Sequence, residues 1–441
     1  MPHTIFGLDP LWVATTLLVL TYGAIVTDRI NRAVVALLGA GLMIVTGVLS
    51  QDEAIHGVDF NTIGLLAGMM LIVGITRRSG VFEYLAIWSA KVVKASPAGV
   101  LAMLSIVTAV VSAFLDNVTT VLLIVPVTFA ICRELKVPPY PFLFNQIIAS
   151  NIGGTATLIG DPPNIIIGSA ANLAFDQFVV HLAPVIVVVL AVQLLITHLV
   201  WGRKLHAAPE DRARVMAMDE RAAITDWKLL KQALGVLAAV IVAFVVARFI
   251  GLMPATIAMF GAAILLLLDT HGRTSEEQTH HVHGRLSELE WITLFFFIGL
   301  FILVKGVERA GLLDIVARNL VAATRGDMTT MAITILWASA VLSAIIDNIP
   351  FVATMIPVIK GMAPVFGGAE HLLPLWWALS LGACLGGNGS LIGASANLIV
   401  AGTAERQGVP FKFKTFTLTA FPLMLISVAI CHVYLWLRYL R

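Results

Sequence analysis

The chain has 441 residues, of which 59% are hydrophobic and only 12% charged. A water-soluble chain is about 25% charged, so charge this sparse cannot cover a soluble surface of this size, and lipid must be the solvent for most of it. A net charge of +2 leaves no basic surface for nucleic acid. Three scattered cysteines (Cys132, Cys384, Cys431) give neither a disulfide framework nor a metal-ligand spacing.

A spanning helix needs about 20 mostly apolar residues. The first apolar run, residues 11–26, has no basic stretch ahead of it and is read as a retained span, not a cleaved signal. Further spans are predicted over residues 33–49, 63–76 and 178–201, then 234–249, 255–268, 291–304 and 416–435. Between them lie apolar runs interrupted by polar or glycine-rich breaks, at 100–132, 142–171, 331–365 and 372–400. Two stretches are polar. Residues 204–231 carry both charge signs and read as a cytoplasmic linker. The stretch Thr270 to Glu290 holds His271, His280, His281 and His283. No cysteine or acidic cluster completes a coordination set there, so it reads as a solvated, mobile loop and not as a metal site.

The interrupted runs repeat. Ser112 to Pro126 (SAFLDNVTTVLLIVP) matches Ser343 to Pro357 (SAIIDNIPFVATMIP), so that Asp116 pairs with Asp347 at an offset of 231. Asp59 with Glu290, and Gly80 with Gly311, share that offset. Gly153 to Gly160 (GGTATLIG) matches Gly386 to Gly393 (GGNGSLIG) at an offset of 233. These matches, in one order at a near-constant offset, indicate an internal duplication. The predicted fold is an all-α polytopic membrane protein of two inverted repeats, with about ten spanning helices, two re-entrant hairpins and two broken helices. The repeats are placed at residues 1–203 and 232–441, with the linker at 204–231. The hairpins fall at about 97–133 and 329–366, the broken helices at about 141–171 and 372–401.

Inversion follows from the basic residues, which collect on the cytoplasmic side. Each repeat makes about five crossings, an odd number, if each hairpin enters and leaves on one face. With both termini periplasmic, 20 of the 28 Lys and Arg lie inside. Lys305, Arg309, Arg318 and Arg325 run against the rule locally.

Inverted-repeat transporters hold substrate near the bilayer centre between broken helices, and irregular backbone at that depth lines a cavity or is buried in protein. Four breaks occur here. Asp116 and Asp347 are carboxylates inside apolar runs, which makes each a candidate for ion or proton binding; each also fits the N-cap of the half-helix that follows. Asn117 and Asn348 are amide ligands or hairpin-tip hydrogen bonders. Asp161 aligns with Ala394 in the other repeat. A purely structural acid belongs in both repeats, so Asp161 is read as a proton or cation site. Thr119, Asn151, Thr155, Thr157, Asn164, Asn388, Ser390, Ser395 and Asn397 supply neutral hydrogen-bonding groups along the same breaks. Gly153, Gly154, Gly160, Gly386, Gly387 and Gly393 let the backbone approach closely. Cys384, just before Gly386, is read as a packing residue instead of a soft-metalloid ligand.

At these motifs the chain resembles the ion-transporter superfamily of arsenite permeases and sodium/proton antiporters, the ArsB/NhaD group. SAFLDNVTTVLLIVP with NIGGTATLIGDPPNIII is especially similar to the P-protein branch. The resemblance covers nearly the whole chain. It implies a scaffold domain, a transport domain carrying the hairpins and broken helices, homodimerisation and elevator-like movement in a bacterial inner membrane. Dicarboxylate carriers of the wider superfamily have a Ser-Asn-Thr signature at each hairpin tip, where this chain has Asp116-Asn117-Val118 and Asp347-Asn348-Ile349. Two carboxylates repel a dicarboxylate unless protonated or cation-paired.

The expected function is efflux of arsenite or antimonite coupled to inward protons through Asp116, Asp161 or Asp347, with the alternatives of sodium/proton antiport and anion transport. No enzymatic activity and no cofactor are expected beyond the coupling proton or sodium. There is no phosphate-binding P-loop for ATP hydrolysis on this chain, although a separate ATPase subunit is compatible with the reading. The partners expected are a small inorganic substrate, the lipid bilayer and a second copy of the chain.

Overall fold

In lipid a backbone N–H finds no water, so apolar segments must close their hydrogen bonds internally. In the computed structural model, which describes residues 4, 7–27 and 29–441, every regular element is helical. The first half runs α1 (Pro10–Thr27), α2 (Arg32–Val45), α3 (Gln51–Gly57), α4 (Phe60–Arg77), α5 (Val81–Val92), α6 (Pro97–Phe114), α7 (Asn117–Leu135), α8 (Tyr140–Thr155), α9 (Pro162–Ala171), α10 (Phe175–His181) and α11 (Ala183–Val200). After α12 (Pro209–Met216) the second half runs α13 (Trp227–Ile250), α14 (Pro254–Thr270), α15 (Ser275–Leu286), α16 (Trp291–Arg309), α17 (Leu312–Ala323), α18 (Met328–Ser343), α19 (Asn348–Gly361), α20 (Leu373–Gly386), α21 (Ser395–Arg406) and α22 (Phe413–Leu435).

Eight of these helices are long and apolar enough to cross a bilayer, and α2, α14 and α18 are shorter apolar helices. Large apolar side chains such as Trp12, Val187, Val242 and Phe249 stand exposed on α1, α11 and α13. An exposed apolar face of this extent has lipid or another protein as its solvent.

The order α1 to α9 recurs as α13 to α21, down to local details. Asp59 caps α4, and Glu290 precedes α16 at the matching place. Gly80 before α5 and Gly311 before α17 both adopt φ near +80°, at +79° and +87°, a left-handed turn that glycine makes without strain. Pro126 and Pro357 sit inside α7 and α19.

The halves interlock, since α4 packs along α14 and α2 along α16. Small residues permit that approach: a Cβ on Gly68 would lie 2.6 Å from the Ala258 carbonyl carbon, and one on Gly299 would lie 2.7 Å from that of Ala36. A second group forms from the hairpins, with α6 on α8, α18 on α20, and α7, α8 and α9 packed against α21, α20 and α19.

The polar segments are more ordered than expected. α12 docks on the first half, where Arg212 donates 2.8 Å to the Lys94 carbonyl and Lys91 donates 2.5 Å to Glu220. Val215 is fully buried in a small core shared with α5, α6 and α7. The segment's last residues form the cap and first turn of α13, where Asp226 accepts from the backbone N–H groups of Lys228 and Leu229. The histidine stretch is a helix, α15, and not a loop. Thr274 and Glu277 form a capping box at its start, and Asp269 accepts 2.7 Å from Arg285 Nε and lies 2.9 Å from His281 Nε2. Those contacts fix its inner face; no group of three metal-ligating side chains occurs among the described residues.

Candidate functional site

Four helices begin around one small cavity of about 20 Å³, lined by the first residues of α7, α9, α19 and α21 and by Arg32, Leu66, Met70, Glu290 and Thr293. Each N-terminus follows from a break in the sequence. The chain turns at Asp116 and Asp347, whose carboxylates accept the orphan N–H groups of the new helix: Thr119 N at 2.8 Å for Asp116 and Ile349 N at 3.0 Å for Asp347. Thr119 Oγ1 adds a 2.6 Å bond to Asp116. Both acids are therefore helix caps, one of their two readings.

Asp161 is different. It precedes α9 but caps nothing with its side chain, because Pro162 and Pro163 hold the first helical positions and offer no N–H. Asp161 Oδ1 accepts 3.2 Å from the Asn117 amide, and its Oδ2 has no partner among the described residues. Asn348 Nδ2 is likewise unpartnered. A fully buried acceptor and a nearly buried donor thus line the same small space without a hydrogen bond to another described residue. Buried polar groups are nearly always satisfied, so these two are polar atoms at this site still free to bind.

Behind the cavity wall runs a chain of amides. Asn117 donates 3.1 Å to Asn151, and Asn151 donates 2.9 Å to Asn388 and 3.0 Å to Asn397. Asn164 donates to the Thr155 and Thr157 carbonyls, and its oxygen accepts 2.6 Å from Ser380 and 3.5 Å from the Cys384 thiol. Asn397 does the same in the other half, donating 2.8 Å to the Gly387 and Ser390 carbonyls. These bonds span both halves and hold the broken helices in register.

The residues named from sequence therefore separate into layers. Asp116, Asn117, Asp161, Asn348 and Ser395 reach the cavity. Asn151, Asn164, Asn388 and Asn397 stand behind it. Thr155, Thr157 and Ser390 turn their hydroxyls to the backbone carbonyls of Asn151, Ala113 and Ala344. None of the six glycines lines the cavity. Gly153 and Gly386 lie against the backbones of Ala109 and Ala340, while Gly154 faces Gly160 and Gly387 faces Gly393. Their close approach is backbone to backbone. Cys384 is buried and off the cavity wall, in keeping with a packing role.

Two charged groups were not singled out for the site. Arg32, which the sequence offers only as one basic residue among 28, points Nη1 to Asp347 Oδ2 at 3.3 Å. Glu290, noted only as a repeat partner of Asp59, lines the cavity beside Thr293, whose hydroxyl donates 3.1 Å to it. The available signal was the same one used for Asp116: an ionisable residue at the edge of an apolar run.

Four carboxylates thus meet one guanidinium. Each helix N-terminus adds about half a positive charge, and four of them with Arg32 still leave an excess of roughly one negative charge if all the acids are ionised. Such an excess in a water-poor space is unfavourable while all four acids stay ionised and unpaired.

Residues 22–382 match the citrate transporter family, CitMHS. The chain belongs to this family. Its relatives include an uncharacterized transporter of Mycobacterium tuberculosis, 43% identical over 97% of this chain and 98% of that one. A 46 kDa membrane protein of Mycobacterium leprae is 40% identical over 97% and 99%. The human P protein is 33% identical, covering 96% of this chain and 59% of that longer protein. In fold the chain is similar to the YdaH transporter of Alcanivorax borkumensis, with a TM-score of 0.60 at 16% identity over 97% of each chain. It is also similar to MtrF of Neisseria gonorrhoeae, with a TM-score of 0.59 at 12% identity over 98% and 95%. The protein is a polytopic membrane transporter of the family, and the resemblance to the P-protein branch of the ArsB/NhaD superfamily agrees with these relationships.

Proposed function

We propose that this protein is a secondary transporter that exports arsenite or antimonite in exchange for protons, with the proton carried at Asp161 and its neighbours Asp116 and Asp347. The observation that carries the coupling is the unpartnered Asp161 Oδ2 facing a closed cavity with more carboxylates than cations. Arsenious acid is uncharged near neutral pH, so acids do not repel it, and amides and hydroxyls suffice to hold it. The closed cavity, about 20 Å³, has room for a bare cation or about one water. A larger solute would enter through the adjoining vestibule of about 220 Å³, which Asn31, Arg32, Asp347 and Ser395 line among apolar residues. The two halves are inverted in the inner membrane in this reading, with the termini periplasmic, and the chain works as a homodimer whose hairpin group moves elevator-fashion.

Sodium is a second reading for the exchanged ion, favoured by the cavity's size and its carboxylate and amide oxygens, which suit a hard cation. A citrate-like anion would have to arrive protonated or cation-paired.

One assay separates these solutes. Purified protein in liposomes under an imposed pH gradient is offered arsenite, sodium or citrate in turn, and proton movement is followed with a dye. Proton flux is expected with arsenite. It should survive replacement of Cys132, Cys384 and Cys431 together by Ala, because no thiol lines the cavity. Flux with sodium alone would move the protein to the antiporters, and flux with citrate alone to anion carriers.

A further inference from the structure

Arg32 sits where the two helix groups meet. It opens α2, whose main packing partners are α1 and α16. Its guanidinium lies over the ring of Phe296 in α16, 5.1 Å from the centroid. From there Nη1 crosses to the hairpin group, meeting Asp347 Oδ2 at 3.3 Å and donating to Ser395 Oγ, while Ser395 Oγ donates 3.2 Å to the same Asp347 oxygen. Arg32 and Ser395 are also the two residues that line both the 20 Å³ cavity and the 220 Å³ vestibule, so they stand between them. The other charged groups that share the cavity wall with the guanidinium are Glu290, just before α16, Asp116, just before α7, and Asp161, just before α9. A second tether crosses the same seam, where the Tyr22 hydroxyl of α1 donates 2.9 Å to the Pro350 carbonyl of α19.

We propose that Arg32 is a cation-displaceable latch: its guanidinium occupies, at Asp347, the place of the coupling cation, so that cation binding and the Arg32 contact exclude each other. With the latch closed, α19 and α21 are held to α2 and α16, and the way from vestibule to cavity is shut. A proton or metal cation at Asp347 releases the arginine, which stays on Phe296, and frees the hairpin group to move. The pair is suited to this use. Its side chains are 24% and 14% exposed, and ion pairs that reach solvent hold weakly enough to be broken by a competitor. The latch makes Arg32 a positioning residue, and it rests on the cation-coupled reading above.

The test uses the full chain in liposomes, with the three native cysteines replaced and a reporter cysteine at Met70, which lines the cavity behind the latch. Labelling by a water-soluble maleimide is measured with and without saturating sodium, at neutral and at acid pH. With Arg32 intact, cation or acid should raise the labelling rate. In Arg32→Gln the rate should be high from the start and insensitive to either, and half-saturation of flux by the cation should fall about threefold, the scale of a partly exposed ion pair. Arg32→Lys, which keeps the charge but not the forked contact, should lie between and serves if the glutamine variant folds poorly. Equal cation response in the arginine, lysine and glutamine forms would overturn the latch while leaving the coupling reading in place. No cation or acid response with Arg32 intact, together with uncoupled flux, would overturn both.

Discussion

Replacing Asp161 by asparagine is expected to lower ion-coupled flux by about 100-fold while leaving the protein folded. The asparagine keeps the size of the side chain and an oxygen to accept the Asn117 amide at its present 3.2 Å contact. What it removes is the charge at a buried carboxylate oxygen that has no partner among the described residues. A hydrogen bond or contact to a charged group is worth about 1.5–3 kcal/mol, and each 1.4 kcal/mol is tenfold, so a loss near the upper end gives about 100-fold. Asp161→Ala, which copies Ala394 of the other half, should abolish the coupling equally. It should also loosen the Asn117 to Asn151 chain, because that amide loses one of its two acceptors. Flux in liposomes and the unfolding midpoint in detergent separate the two effects. An asparagine variant that kept more than about a tenth of the flux would reduce Asp161 to a helix-terminus residue.

A large stability effect is expected at Gly153. A Cβ there would lie 2.0 Å from the Ala109 carbonyl oxygen and 2.5 Å from the Ala109 Cα. Both are backbone atoms of α6 and cannot rotate away. Gly153→Ala should therefore cost about 3 kcal/mol, the upper part of the range for overpacking a tight interior. It should part α8 from α6 and so displace Asn151, the amide joining the two halves. Gly386→Ala, with its Cβ 2.5 Å from the Ala340 carbonyl oxygen, should behave alike in the second half. Gly402→Ala is the control: it lies in α21 with no neighbour within 4 Å, and should be neutral or stabilising by up to about 1 kcal/mol through helix propensity. Thermal unfolding of the three variants in detergent checks the ranking; a Gly153→Ala protein as stable as the Gly402→Ala protein would contradict it.

Much of this was legible in the sequence because the relevant signals are local or periodic. Apolar length marks the spans, and α4, α13, α16 and α22 fall where the runs indicate. The duplicated motifs mark both hairpins, and proline and glycine mark the breaks, so Asp116, Asp161 and Asp347 could be nominated and do surround one region. Roles that depend on distant partners were not legible. Arg32 looks like any loop arginine until α2 is laid along α16 and its guanidinium meets Asp347 across 315 positions of sequence. Glycine 153 reads as a ligand-approach residue until α6 is placed against it. The histidine stretch reads as a loop because four histidines dominate it, whereas its capping box, Thr274 with Glu277, is the stronger signal.

In the proposed function a cation gradient drives transport through Asp161. The most direct measurement is uptake of radiolabelled solute into liposomes against its own gradient, with a pH difference and no sodium, or with a sodium difference at uniform pH. Accumulation is expected under one of these gradients, with none in the absence of a gradient and none under either in Asp161→Asn. Accumulation by the asparagine variant at the rate of the unaltered protein, under the same gradient, would contradict this role of Asp161.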